Sequence, residues 1–242
     1  MRLDRWNGQG EDTIDAIPHL EDYLRTARIV HVVPLPGGGG HQHKQLLILD
    51  GGLGVVAKLA EGGDPGRISQ QIRSEVAAGI LARELGWAEL VPTTALRAMR
   101  SSFTGAMVAA SIQIAWPRFE VAAVLGLNPG SCEESDRWRI AIFDALAANP
   151  DRNDGNWGFI DQLPLPKLID HGHAFDPGQP ETTSPFALEK RGTAIPDEYL
   201  HQIRAFAGGA ATSALGEVLD EAVVQSVFQR ASTFVETGDL AF

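Results

Sequence analysis

Between Ile29 and Gly86 the chain passes through short β-rich stretches broken by glycines and then commits to one long amphipathic run. Ile29–Val33 is followed by Gly37, Gly38, Gly39 and Gly40. Leu46–Leu49 and Gly54–Leu59 flank Asp50-Gly51-Gly52, the chemistry of a tight hairpin turn. After a loop holding Gly62, Gly63, Pro65 and Gly66, apolar residues recur at helical spacing from about Ser69: Ile72, Val76, Ile80, Leu81 and Leu85. Gly86 stands where a left-handed cap would end that helix. Thr94–Met99 and Ala106–Ala115 read as two further strands. The order constrains this half to a five-stranded sheet with one main helix.

Beyond Pro117 the texture turns helical. Phe119–Leu125 reads as a short helical piece. Asp136–Ala148 carries Trp138, Ile142, Phe143 and Leu146 on one face. A β interlude, Asn156–Ile160 and Lys167–Ile169, precedes a loop at Pro177–Pro185. Two amphipathic helices follow, Pro196–Phe206 and Ser213–Val235. The expected fold is α+β and two-lobed, with a β-rich N-lobe and a small helical C-lobe. The boundaries fall at 1–28 for an N-terminal extension, which holds a helix over Ile17–Ala27, then 29–116 and 117–242.

Composition narrows the class. With 44% hydrophobic and 21% charged residues over 242 positions, the chain is that of an ordinary globular protein. A single cysteine, Cys132, allows no intrachain disulfide and suits a reducing cytoplasm. Cys132 lies among Ser131, Glu133 and Glu134, which oppose a thiolate. The net charge of −11 comes with no basic run, so neither nucleic acid nor an anionic membrane is an expected partner. Gly105–Pro117, the longest weakly polar stretch, is too short to span a bilayer.

The chemistry concentrates in Asn149-Pro150-Asp151-Arg152-Asn153-Asp154-Gly155-Asn156 and, after a hairpin, Leu168-Ile169-Asp170-His171-Gly172. Asp151 and Asn156 stand five residues apart on a loop leaving a helix, and the hairpin folds Asp170 back towards Asn156. One carboxylate to accept the proton of an attacking hydroxyl, with an amide oxygen and a second carboxylate for magnesium, is the set phosphoryl transfer needs. Asn-Pro-Asp and Asp-Gly are also ordinary turn formers. A carboxylate closing an apolar strand is costlier to explain away, because it must be paired or metal-bound.

Period-two alternation puts Val56 and Lys58 on one strand face. A lone strand lysine commonly snorkels to water. Glu75, on the helix behind the sheet, is placed to pair with Lys58 and hold its amine on nucleotide phosphates. The four glycines lack a following Gly-Lys-Ser/Thr and so are no Walker A loop; their bare backbone suits close approach to phosphate oxygens. The pairs His41/His43 and His171/His173 raise zinc as a rival.

Phe143–Leu146, NPDRNDGN (149–156), LIDHGHAF (168–175) and LPGGGGHQHKQLLILDGGLGVVAKL (35–59) together resemble the protein-kinase-like superfamily. Within it, they resemble small bacterial HipA-like kinases, related to phosphatidylinositol 3-/4-kinase-like proteins. The resemblance implies ATP and Mg2+ as cofactors. Asp151 would be the catalytic base, Asn156 and Asp170 the metal ligands, and Lys58 the phosphate contact anchored by Glu75. Gly37–Gly40 would cover the phosphates. Gln113, Ile114, Ala115 and Trp116 would offer backbone groups to the adenine edge, with Val56 against the ring. It further implies a hydroxyl acceptor, on a protein serine or threonine by analogy. A metabolite or antibiotic kinase and a nucleotide-binding pseudokinase scaffold are the alternatives. His171 replaces the usual phenylalanine after the aspartate, and no Ala-Pro-Glu anchor follows. Val30 to Lys58 contains no serine, threonine or tyrosine, so autophosphorylation is expected elsewhere: at Ser69, Ser101, Ser102 or in Thr182–Ser184.

Overall fold

The computed structural model describes residues 19–35, 43–161, 164–179, 181–209 and 211–242. Gly37, Gly38, Gly39, Gly40 and His41 lie outside them. The chain divides into two compact units. The first comprises the residues up to Ile72 with Pro92–Phe119; the second comprises Arg73–Val91 with Glu120–Phe242.

In the first unit, α1 (Leu20–Thr26) precedes β1 (Ile29–Pro34), β2 (Lys44–Leu49) and β3 (Gly54–Leu59). After the helix α2 (Pro65–Glu84), β4 (Thr94–Arg100) and β5 (Met107–Ile114) complete an antiparallel sheet in the order β1-β2-β3-β5-β4. The five strands and their main helix are those expected. The β2–β3 turn works because Gly51 and Gly52 adopt φ of 92° and 90°, a region glycine enters without steric cost. Alternation then sorts the faces. Leu47, Leu49, Val55, Ala57, Leu59, Ala95, Ala110, Ile112 and Ile114 form one buried apolar cluster with Leu24 of α1. Each large aliphatic side chain so buried stabilises the fold by about 1.5–3 kcal/mol. The register Val56↔Gln113 and Lys58↔Ser111 puts those four residues on the opposite face.

Helix α2 begins at Pro65, four residues before the expected Ser69, and the boundary between the units falls within it. Asp64 accepts from the Arg67 N–H at 2.8 Å, and a proline at the first helical position gives up an N–H that has no helical partner there. At the other end Gly86, at φ 79°, closes the helix as expected.

The second unit is built on α4 (Glu134–Leu146), whose inner positions include Trp138, Ile142, Phe143 and Leu146. α5 (Pro185–Lys190) and α8 (Glu221–Thr237) pack on it, and α6 (Asp197–Gly208) and α7 (Ala211–Gly216) pack on α8. Two local readings need correction. Phe119–Leu125 is not one helical piece but β6 (Phe119–Val121) followed by the single turn α3 (Ala122–Leu125). β6 joins β7 (Trp157–Ile160) and β8 (Lys167–Leu168) in a second sheet. Likewise the run Ser213–Val235 is two helices, because the chain turns at Glu217–Leu219 and the Asp220 carbonyl starts α8 by accepting from Val223 and Val224. Among the described residues no helix is long and apolar enough to cross a membrane.

Cys132 is buried, and its thiol is pushed up to about 12, first by burial and then by the nearby Asp136 carboxylate. It should therefore resist iodoacetamide at pH 8 in the folded protein and react on unfolding. Rapid alkylation of the native protein would contradict this.

Candidate active site

Where α4 ends, Ala148 takes a left-handed φ of 46° and the chain turns into the 149–156 loop. Asn149, fully buried, fixes the exit: its Nδ2 donates to Asp144 Oδ1 at 2.8 Å, and its Oδ1 accepts from the Asp151 N–H at 3.1 Å. Asp151 is half-buried, and two amides serve its carboxylate. Asn153 Nδ2 donates to Oδ1 at 2.7 Å, and Asn156 Nδ2 donates to Oδ2 at 3.2 Å. Asn156 Nδ2 also donates to the Asp151 carbonyl at 2.7 Å, closing the five-residue loop on itself. The expected meeting of Asp151 with Asn156 is thus a hydrogen-bonded pair. Because the amide nitrogen faces Asp151, Asn156 Oδ1 is the oxygen left to meet a cation.

Asp170 reaches the same neighbourhood through the hairpin. The Ile169 N–H donates to the Asn156 carbonyl at 3.0 Å, which sets Asp170 one residue beyond that bridge. Asp170 itself is half-buried at φ 57°, a conformation that costs a non-glycine residue about 1–3 kcal/mol and clusters at functional sites. An amide oxygen and a carboxylate are hard donors of the kind magnesium takes, with further ligands coming from water and phosphate. These residues fit that ion.

Glu75 and His171 are both buried in the second unit, with His171 Nδ1 3.9 Å from Glu75 Oε2. Burial pulls the His171 pKa below its ordinary value, and the Glu75 carboxylate acts the other way but does not prevail. The hydroxyl of Ser74, beside Glu75, donates to the Ala174 carbonyl at 2.7 Å, tying this stretch of α2 to the segment after Asp170.

The first unit presents Lys58, Val56 and Gln113 on one sheet face. Lys58 is 3% exposed, so it does not snorkel to solvent. Gln113 Oε1 and Ser111 Oγ are buried there without hydrogen-bond partners. The Ile114 and Ala115 N–H groups donate to the Thr93 and Gly54 carbonyls, so these two amides are engaged rather than open to a base. Trp116, half-buried, lies against Phe119 with ring centroids 5.9 Å apart.

Some polar groups were not anticipated. Glu61 accepts from Ser101, from Thr104 Oγ1 at 2.8 Å and from His43 Nδ1 at 3.1 Å. Burial alone would raise its pKa; these three bonds together outweigh it and lower it. Ser101, 2% exposed, is therefore a poor phosphorylation candidate, and the same holds for the buried Thr182 and Ser184. Among the described residues no cluster of three or more His, Cys, Asp or Glu side chains is arranged to hold a metal ion. The other unanticipated group is a buried ion pair, Asp144 with Arg152, at 3.0 Å.

The fold is a protein-kinase-like one. A crystal structure of the Golgi casein kinase with Mn/ADP bound matches with a TM-score of 0.61 at 17% identity, covering 95% of this chain and 76% of that one. The structure of hydra Fam20 with sugar matches with a TM-score of 0.62 at 15% identity, covering 90% of this chain and 88% of that one. No family model matches the chain, and no curated protein matches it by sequence. At these identities the likeness is one of fold alone.

Proposed function

We propose that this chain is an ATP- and Mg2+-dependent phosphotransferase with a hydroxyl acceptor, acting as a HipA-like serine/threonine protein kinase. The observation that carries the reading is the joining of Asp151, Asn156 and the Asp170 segment in one hydrogen-bonded loop. The Mn/ADP held by a protein of the same fold supports nucleotide and divalent-metal use. Asp151 orients the acceptor hydroxyl and takes its proton. Asn156 and Asp170 hold the metal, which when bound neutralises charge on the nucleotide phosphates. Lys58 is the residue assigned to those phosphates.

Incubation with labelled ATP, Mg2+ and a lysate split into protein and small-molecule pools tests this directly. Label in the protein pool, absent with Asp151→Ala, is the expected result. Label only in the small-molecule pool would reassign the acceptor, and nucleotide binding without turnover would leave a scaffold. Lys58→Met should lower kcat/KM for ATP roughly 10- to 100-fold, the worth of a charge-assisted hydrogen bond. Unchanged kinetics would remove Lys58 from the site.

A further inference from the structure

Arg152 is enclosed, with both its side chain and that of Asp144 at 0% exposure. Burying two charges is costly, and well-packed apolar residues in their place are often as stable or more so. Stability alone therefore does not account for the pair. Its geometry does. Nε and Nη2 grip the two oxygens of Asp144, at 3.1 and 3.0 Å. Nη1 is left to donate in another direction, to the Asn156 carbonyl at 2.5 Å and the Ile169 carbonyl at 3.0 Å. One of these carbonyls belongs to a candidate metal ligand, and the other to the residue directly before the second. Asp144 is held in turn by Asn149 Nδ2 at 2.8 Å and Ser184 Oγ at 2.7 Å.

We propose that Arg152 is a positioning residue for metal binding. One guanidinium, clamped to the end of α4, sets the spacing between Asn156 and Asp170. The proposal rests on Asn156 and Asp170 being the metal ligands. Lysine would keep the charge but not the function, because a single ammonium cannot grip both Asp144 oxygens and two carbonyls in the fixed directions of a planar fork.

The test is a Mn2+ titration of the full chain at fixed ADP, read by electron paramagnetic resonance of the free ion, with melting of the metal-free protein measured alongside. Arg152→Lys should raise the half-saturating Mn2+ roughly 10- to 100-fold, as loss of a group supporting metal ligands does. Melting should shift downward by several degrees, because lysine leaves buried carbonyls without their donor, so every titration is read well below the transition of the least stable variant. KM for ATP at saturating metal should stay within about two-fold, since Arg152 touches no nucleotide. Ser184→Ala, which removes one bond to Asp144 and leaves the ion pair intact, should raise the half-saturating Mn2+ about two- to ten-fold, the worth of one hydrogen bond. Asp170→Asn is run in parallel. If it leaves Mn2+ affinity unchanged, the metal-ligand reading fails and this proposal with it. If Asp170→Asn weakens binding and Arg152→Lys does not, the positioning role alone is overturned. Should Arg152→Lys not fold, an unchanged titration with Ser184→Ala overturns it.

Discussion

Alanine at Asp151 is expected to cut phosphoryl transfer at least about 100-fold while ATP affinity stays within a few-fold. On the proposed reading the carboxylate acts on the acceptor, so its loss would remove a proton acceptor without touching the nucleotide. Loop collapse is a poor rival explanation for such a loss. The tighter of the two bonds from Asn156 goes to the Asp151 backbone carbonyl, at 2.7 Å, and survives the substitution. The bond from the Asp151 N–H to Asn149 also survives. Turnover and ATP binding measured on the same preparation decide the matter. Near-normal turnover would make Asp151 a turn residue and sink the assignment.

The largest structural effect is expected at Gly158, in β7. A Cβ there would stand 2.0 Å from the Glu120 carbonyl oxygen and 2.8 Å from Val121 Cα, both backbone atoms of β6. No rotamer change can relieve that contact; a strand must move. Gly158→Ala should therefore cost about 3 kcal/mol, the upper end for overpacking, and lower Tm by roughly 6–12 °C. Gly208→Ala is the control, since a Cβ there meets nothing within 4 Å. That helical site should be neutral or gain about 0.5–1 kcal/mol. Equal melting of the Gly158 variant and wild type would mean that β6 does not lie against β7.

Most of the sheet was legible, because alternation in Leu46–Leu49 and Gly54–Leu59 reports burial on one face directly. The start of α2 was not: Pro65 and Gly66 look like loop, although Asp64 before Pro65 is a start signal in its own right. β6 was hidden for a different reason. Phe119–Val121 is a strand only because a glycine nearly forty residues later lets another backbone approach it, and no local pattern carries such pairing. Within the candidate site, the polar loop announced Asp151 and Asn156 by spacing, and the apolar strand before Asp170 announced that residue. Arg152 escaped notice because a charged residue in a polar loop reads as solvated. Its signal lay elsewhere, in Asp144, a carboxylate set among Ile142, Phe143, Ala145 and Leu146. The demand for a partner applied to Asp170 applied equally there. Gln113 was read for its backbone, whereas its buried side-chain oxygen is the group without a partner.

The chain passes from one compact unit to the other at three places: after Ile72, after Val91 and after Phe119. Neither unit is a continuous stretch of sequence. A break after Phe119 would leave the later segment without Arg73–Val91, and so without the Ser74 bond to Ala174 and the Trp87 bond to Gln202. Genetic exchange that swaps one end of the coding sequence therefore never transfers one unit by itself. Residues of the two stretches that build the second unit must change in step, as a single inherited block, with the first unit's Pro92–Phe119 carried along between them.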